Sequence, residues 1–163
     1  MKKVIINGKE RVVRDEFEYF QPNDHVDGDC VVRALCKATG WDWKEAYAFV
    51  FLSTAKEQYM PNYKDGERII YRKLGWKWHS HNTRKPRPTV AEFAQQHPTG
   101  SYVLSLSKHH VCVVDGSYWD IWDCGGRKIY GYWEKPKEAV HHIPENLQNN
   151  LVSLMSIMKN LKA

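Results

Sequence analysis

The stretch GDCVVRAL places a cysteine, Cys30, at the first position of a predicted helix. A thiol at a helix N-terminus lies at the positive end of the helix dipole, which lowers its pKa and favours the reactive thiolate. The preceding Asp29 is acidic. As a helix cap it would leave the thiolate undisturbed, whereas pointing inward it would oppose ionisation. Cys30 is therefore either a nucleophile or a small buried hydrophobic residue.

The run HHVCVVDGSYWDIWD contains a histidine and an aspartate that could complete a nucleophilic triad. A turn at Gly116-Ser117 would pair two strands so that His110 lies opposite Asp123. A turn at Asp115-Gly116 would leave the two residues as diagonal neighbours on one face, and in both cases Asp120 lies on the other face. A carboxylate beside an imidazole fixes its tautomer and stabilises the imidazolium. The alternative is a surface pair with no chemical role.

The residues next to this pair are expected to have other roles. His109 points to the opposite face of the strand from His110, which predicts a surface position, and Asp120 is the less suitable triad member for the same reason. Cys112 is predicted to lie in the core, and a structural role is predicted for Cys124. The sequence has no CxxC and no HxxxH motif, so we expect no metal site, and no organic cofactor is implied.

The elements that must position these residues follow from the apolar periodicity. A hairpin and loop are predicted in residues 1–22, a helical part in 30–97, four antiparallel strands in 101–133 and a C-terminal helix in 144–162. Helices precede strands, which predicts an α+β fold with a helical part packed on a C-terminal sheet. The length of 163 residues suits a single domain.

Local signals mark the ends of several helices. Gly40 is placed to end the helix that begins at Cys30. Asp42 with Glu45, and Thr89 with Glu92, have the spacing of a capping box at the start of the second and fourth helices.

The composition indicates a soluble chain with a basic balance. Hydrophobic residues make up 42% and the net charge is +5, which favours acidic partners. The N-terminal MKKVIINGKERVV lacks the apolar core of a signal peptide, and no window approaches the ~18–20 apolar residues of a membrane span. With four cysteines and no sign of a disulfide framework, we expect a reducing, cytoplasmic location without membrane contact.

The segment from Lys64 to Arg87 combines cations with aromatic residues. Its eight cations are Lys64, Arg68, Arg72, Lys73, Lys77, Arg84, Lys85 and Arg87. This composition favours binding of single-stranded nucleic acid. The alternatives are a solvated helix face followed by a charged loop, or a docking site for a substrate or an acidic partner.

Three segments, taken in order, resemble the papain-like cysteine peptidase superfamily. GDCVVRAL resembles the nucleophile helix, HHVCVVDG the strand that carries the histidine, and YWDIWDCGG the strand that carries the third triad member. The nearest likeness is to small uncharacterised phage and bacterial proteins of this fold. The peptidase domains of bacteriocin exporters are more distantly similar. The resemblance extends from Asn23 to Trp133.

The resemblance implies a papain-like fold and a role for each matching residue. It implies Cys30 as nucleophile, His110 as general base and acid, and Asp123 as the orienting group. In these enzymes a glutamine shortly before the nucleophile donates to the oxyanion, and here Asn23 is the residue whose amide could do so. The implied activity is that of a protease or isopeptidase, encoded by a phage and acting on a host or phage protein in the host cytoplasm.

Two other functions fit the same sequence. A catalytically inactive papain-like domain could bind a host protein or nucleic acid through the basic segment. A transferase or amidase could use the same triad on an acyl substrate that is not a peptide.

Overall fold

A computed structural model describes residues 1–24, 28–81 and 84–137, together with positions 149, 152, 153 and 156. Within these residues the chain forms a mixed α+β structure with four named helices and eight strands, which confirms the predicted class. The elements are β1 (Lys2–Ile6), β2 (Lys9–Val13), β3 (Phe17–Tyr19), α1 (Cys30–Thr39), α2 (Trp43–Ala55), α3 (Lys64–Lys73), β4 (Lys77–Ser80), α4 (Val90–Gln96), β5 (Ser101–Leu106), β6 (His109–Val114), β7 (Ser117–Asp120) and β8 (Ile129–Glu134).

The helix predicted at 144–162 lies mostly outside the described residues. The four described positions there are helical: 149, 152, 153 and 156. None of the described helices is long and apolar enough to span a membrane.

The N-terminal hairpin has the predicted form. β1 and β2 pair antiparallel around Asn7-Gly8, where both residues have positive φ angles of 50° and 74°. Positive φ at both central positions belongs to a type I′ turn, which matches the twist of the two strands.

The main sheet has six strands in the order β3-β7-β6-β5-β8-β4. The four predicted strands form its centre as β5 to β8. The two edge strands were not predicted: β3 lies in the predicted N-terminal loop and β4 in the predicted helical part, yet β3 pairs parallel to β7 and β4 pairs antiparallel to β8. Both edge strands have only three or four residues, so neither is long enough to show a clear alternation of apolar and polar side chains.

The β6–β7 hairpin turns at Asp115-Gly116, with φ angles of 47° and 80°. The prediction of a turn at Gly116-Ser117 is therefore wrong, and the hairpin forms the alternative turn at Asp115-Gly116. Cys112 pairs with Trp119, and β7 ends one residue later at Asp120. The strand pairing thus stops before Asp123.

The helices begin and end largely where the sequence predicts. α1 ends at Gly40, whose φ of 80° is left-handed, and both predicted capping boxes form at the starts of α2 and α4. The sheet separates two buried clusters. Helices α1 to α3 cover the face that carries Cys112 and Trp133, and α4 covers the face that carries Val111 and Tyr118.

Candidate active site

The start of α1 meets the start of β6, which brings one cysteine to two histidines. The Cys30 side chain interacts with the rings of His109 and His110 and with the backbone N–H of His110. Cys30 is partly exposed, whereas the other three cysteines are buried; all four are free thiols. Cys30 is therefore the thiol that an external molecule can reach.

The electrostatic environment favours a charged Cys30. Burial raises the pKa of its thiol, but the contacts with His109 and His110 outweigh burial and lower the pKa to about 6. Burial lowers the pKa of both histidines, but the thiol and a nearby carboxylate outweigh burial and raise each pKa to about 9. Near neutral pH the site therefore contains a thiolate and imidazolium groups, the ionised form of a reactive cysteine.

In the other three cysteines the pKa of the thiol is raised rather than lowered. Burial raises the pKa of Cys36 to about 12, and burial also raises the pKa of Cys112 and of Cys124. These thiols stay protonated, in keeping with the predicted core position of Cys112 and structural role of Cys124.

His109 is oriented by a buried carboxylate. Its Nε2 lies 2.6 Å from Oδ2 of Asp120, a side chain that is 1% exposed. The indole of Trp122 packs beside the imidazole with ring centroids 5.5 Å apart. Because Nε2 is taken by Asp120, Nδ1 is the ring nitrogen left for Cys30. His109 was predicted to lie at the surface, but the structure buries it, so this prediction is wrong.

Asp120 is held in turn by a buried arginine. Its Oδ1 accepts hydrogen bonds from Nη2 of Arg33 at 3.0 Å and from the backbone N–H of Ile121 at 2.8 Å. Arg33 is 4% exposed and also binds the carboxylate of Asp29. Asp29 occupies the N-cap position of α1, as expected, but its side chain makes no capping hydrogen bond to the helix. Its negative charge is compensated by Arg33.

His110 faces a second buried carboxylate. Its Nε2 lies 3.4 Å from Oε2 of Glu67, which is the distance of an ion pair rather than of a strong hydrogen bond. Oε1 of Glu67 accepts hydrogen bonds from Ser105 and from Nε1 of Trp133, the latter at 2.8 Å. Burial raises the pKa of Glu67, but these contacts outweigh it and lower the pKa below its usual value. Glu67 is therefore an anion beside His110.

These contacts join into a buried row of charges that alternate in sign. The row runs through Asp29, Arg33, Asp120, His109, Cys30, His110 and Glu67. Each charge has an opposite charge beside it, which is the condition for keeping ionised groups inside a protein.

The structure does not bring the predicted Asp123 to His110. Oδ1 of Asp123 accepts hydrogen bonds from Nη1 of Arg14 at 2.8 Å, from the Tyr118 hydroxyl at 2.5 Å and from the backbone N–H of Gly125 at 2.9 Å. The physical reason is that β7 ends at Asp120, so pairing cannot be extended to Asp123. Asp123 instead ties the segment after β7 to the loop that follows β2.

Asn23, the predicted oxyanion donor, lies in a polar cluster before α1. Its Oδ1 accepts a hydrogen bond from the Gln21 amide, and its Nδ2 lies 3.4 Å from Oδ2 of Asp29. Its role toward an oxyanion stays a prediction. The backbone N–H of Cys30 is a second candidate donor, because the first N–H groups of a helix have no carbonyl partner within it.

A cleft of about 620 Å³ opens beside the two histidines. Both His109 and His110 line it, and Glu67 lies at its inner wall with Trp78 and Trp133. Cys30 itself does not line the cleft, so a molecule bound there would approach the thiol from the side of the two histidines.

Among the residues that the structure describes, one group of side chains has the spacing of metal ligands. The donor atoms of His109, Asp120 and Cys124 all lie within 4.8 Å of one another. However, His109 and Asp120 already bind each other, and burial and the proximity of Asp120 raise the pKa of the Cys124 thiol. A protonated thiol is a poor metal ligand, so this set does not favour a metal.

Sequence reasoning missed several residues of the site, although some left a signal. Glu67 lies three and four residues before Ile70 and Tyr71 and so belongs to the apolar stripe of α3. A carboxylate in an apolar stripe is rarely buried without a partner, which is a signal that could have been used. Arg33 is likewise a charge among the buried residues of α1.

Comparisons with protein-family models, with curated proteins and with solved structures find no match to this chain. The papain-like resemblance therefore remains an interpretation of the sequence motifs.

Proposed function

We propose that the protein is a cysteine hydrolase of papain-like type that uses Cys30, His109 and Asp120 to transfer the acyl group of a peptide or isopeptide to water. The observation that carries the proposal is the position of His109, whose Nε2 lies 2.6 Å from a buried carboxylate and whose ring lies close enough to Cys30 to lower the pKa of the thiol. Asp120 takes the orienting role that the sequence assigned to Asp123.

The reaction would proceed in two steps. The Cys30 thiolate attacks the amide carbon, and the oxyanion that forms is stabilised by the Cys30 N–H. His109 gives its Nδ1 proton to the leaving nitrogen as the C–N bond breaks, which releases the amine and leaves a thioester. Neutral His109 then takes a proton from water, whose hydroxide attacks the thioester. The acid product leaves, and the thiolate–imidazolium pair is restored.

His110 and Glu67 would have an electrostatic role. His110 adds a second positive charge beside the thiolate. Its pKa is raised because Cys30 and Glu67 both stabilise the charged ring. We assign proton transfer to His109 because its carboxylate lies at hydrogen-bond distance, whereas that of His110 lies at 3.4 Å. His110 is therefore a positioning residue that keeps Cys30 ionised.

The function is tested with a synthetic peptide library of balanced composition. The wild-type protein and the Cys30→Ala variant are each incubated with the library, and new peptide termini are identified by mass spectrometry. We expect new termini with the wild type and none with Cys30→Ala. Equal products from both proteins, or none from either, would contradict the proposal.

Replacement of either histidine by alanine should slow peptide hydrolysis, but the pH dependence of the rate should differ between the two variants. His109→Ala removes the proton donor, so peptide hydrolysis should fall about 10²–10⁴-fold at every pH. His110→Ala removes only a charge, so hydrolysis should fall at pH 7 and recover near pH 8.5, where a thiol ionises unaided. The measurement is kcat against pH for both variants, with circular dichroism to confirm folding. If hydrolysis recovers at high pH in His109→Ala and not in His110→Ala, His110 is the proton donor and His109 has the electrostatic role.

A further inference from the structure

The cleft beside the candidate site has an excess of positive charge. Besides the two histidines, three lysine and arginine side chains line it: Lys64 and Arg68 from α3, and Lys108 from the turn between β5 and β6. Among the described residues of the lining the one carboxylate is that of Glu67, which is buried and already engaged by His110, Ser105 and Trp133. Within the described part of the chain, the cleft therefore presents Lys64, Arg68 and Lys108 to an incoming molecule, and its own carboxylate is directed to other partners.

The cations of the cleft differ in whether they already pair with a carboxylate. Arg68 pairs with Asp65 at 3.2 Å on an exposed part of α3, where an ion pair contributes little. Lys64 and Lys108 are exposed, and neither pairs with a carboxylate in the part of the chain that the structure describes. A further cation, Arg87, lies over the ring of Tyr130, another lining residue, with 4.6 Å to the ring centre.

The basic segment noted in the sequence thus contributes a wall of this cleft. Lys64, Arg68 and His81 all come from that segment, and Trp78 from the same segment adds an apolar surface. Trp133 and Leu106 also line the cleft, so apolar side chains and positive charges share its lining. This combination suits an extended chain that carries acidic side chains.

We infer that the cleft binds an acidic peptide segment, with aspartate or glutamate side chains next to the bond that Cys30 attacks. The inference rests on the proposed function, because a thiolate that attacks acyl carbons requires a substrate with an amide or ester bond. Peptides supply that bond, whereas a nucleic acid that fits the same cations does not. The favoured occupant is therefore a peptide.

The test compares two double variants with the same change in net charge. Lys64→Glu with Lys108→Glu alters the cleft, whereas Lys9→Glu with Lys44→Glu alters exposed lysines that do not line it. The wild type should prefer library peptides with acidic residues beside the cleaved bond. The cleft variant should lower kcat/KM for acidic peptides about tenfold and leave neutral peptides within about twofold. The control variant should change both by less than about threefold.

A binding measurement separates the inference from the proposed function. Cys30→Ala protein is titrated with a fluorescent acidic peptide and, separately, with a fluorescent oligodeoxythymidylate of equal charge. Peptide binding that the cleft double variant loses supports the inference even if the wild type cleaves nothing, in which case the proposed function alone fails. Cleavage without an acidic preference overturns the inference and leaves the function intact. Tighter binding of the oligonucleotide than of the peptide, or binding of neither, overturns the inference.

Discussion

Replacement of Asp120 by asparagine is expected to lower kcat for peptide hydrolysis by about 10³–10⁴-fold. An asparagine at this position can present its amide N–H₂ to His109 and select the wrong tautomer, and it cannot stabilise the imidazolium with a negative charge. The 2.6 Å contact between Asp120 and His109 is the geometric basis of this expectation. The measurement is kcat with a peptide identified from the library, at constant pH.

Asp123→Asn is the matched control, because it makes the same chemical change three residues away. Asp123 binds Arg14, Tyr118 and a backbone N–H rather than a histidine, so its replacement should leave kcat within about threefold of the wild type. Thermal unfolding of both variants checks that each is folded at the assay temperature. A large loss of kcat in Asp123→Asn with full activity in Asp120→Asn would restore the triad expected from the sequence.

Replacement of Arg33 by methionine is expected to lower the free energy of unfolding by about 3–5 kcal/mol. Arg33 is 4% exposed and lies between the carboxylates of Asp29 and Asp120, so its loss leaves the buried Asp29 without a cation and Asp120 with His109 alone. Urea unfolding followed by tryptophan fluorescence measures the difference.

Arg14→Met provides the comparison for that measurement. Arg14 also pairs with a carboxylate, that of Asp123, but its side chain is 40% exposed. Exposed ion pairs contribute about 0–1 kcal/mol, so the loss should be several-fold smaller than for Arg33→Met. Equal losses in the two variants would show that the buried row of charges does not stabilise the fold as described.

The sequence predicts local features of this fold, such as caps and turns, better than it predicts the strands at the edges of the sheet. The capping boxes, the end of α1 at Gly40 and the Asn7-Gly8 turn depend on neighbouring residues, and all were predictable. The edge strands β3 and β4 depend on partners far along the chain, β7 and β8, and their short lengths leave no periodicity to detect.

The candidate site shows the same division between local and long-range information. Cys30 could be singled out because its position at a helix start is a local property. Successive side chains of a strand point to opposite faces of the sheet. This alternation correctly placed Asp120 and His110 on opposite faces, and it places Asp120 on the same face as His109. What alternation could not show is where β7 ends, and that end decides which aspartate reaches a histidine. The role of Glu67 required knowledge of how α3 packs against the sheet.

The central claim is that Cys30 is ionised near neutral pH by the histidines beside it, and alkylation by iodoacetamide as a function of pH tests this most directly. Mass spectrometry resolves the rate for each cysteine, in the wild type and in His109→Ala. Because the pKa of Cys30 is lowered to about 6, its reactivity should be nearly full at pH 7 and should fall to about half at pH 6 as the thiolate gains a proton. His109→Ala should shift that transition to higher pH, and Cys36 should stay unreactive throughout. A Cys30 that reacts only near pH 8.5, like a free thiol, or that is unaffected by His109→Ala, would contradict the claim.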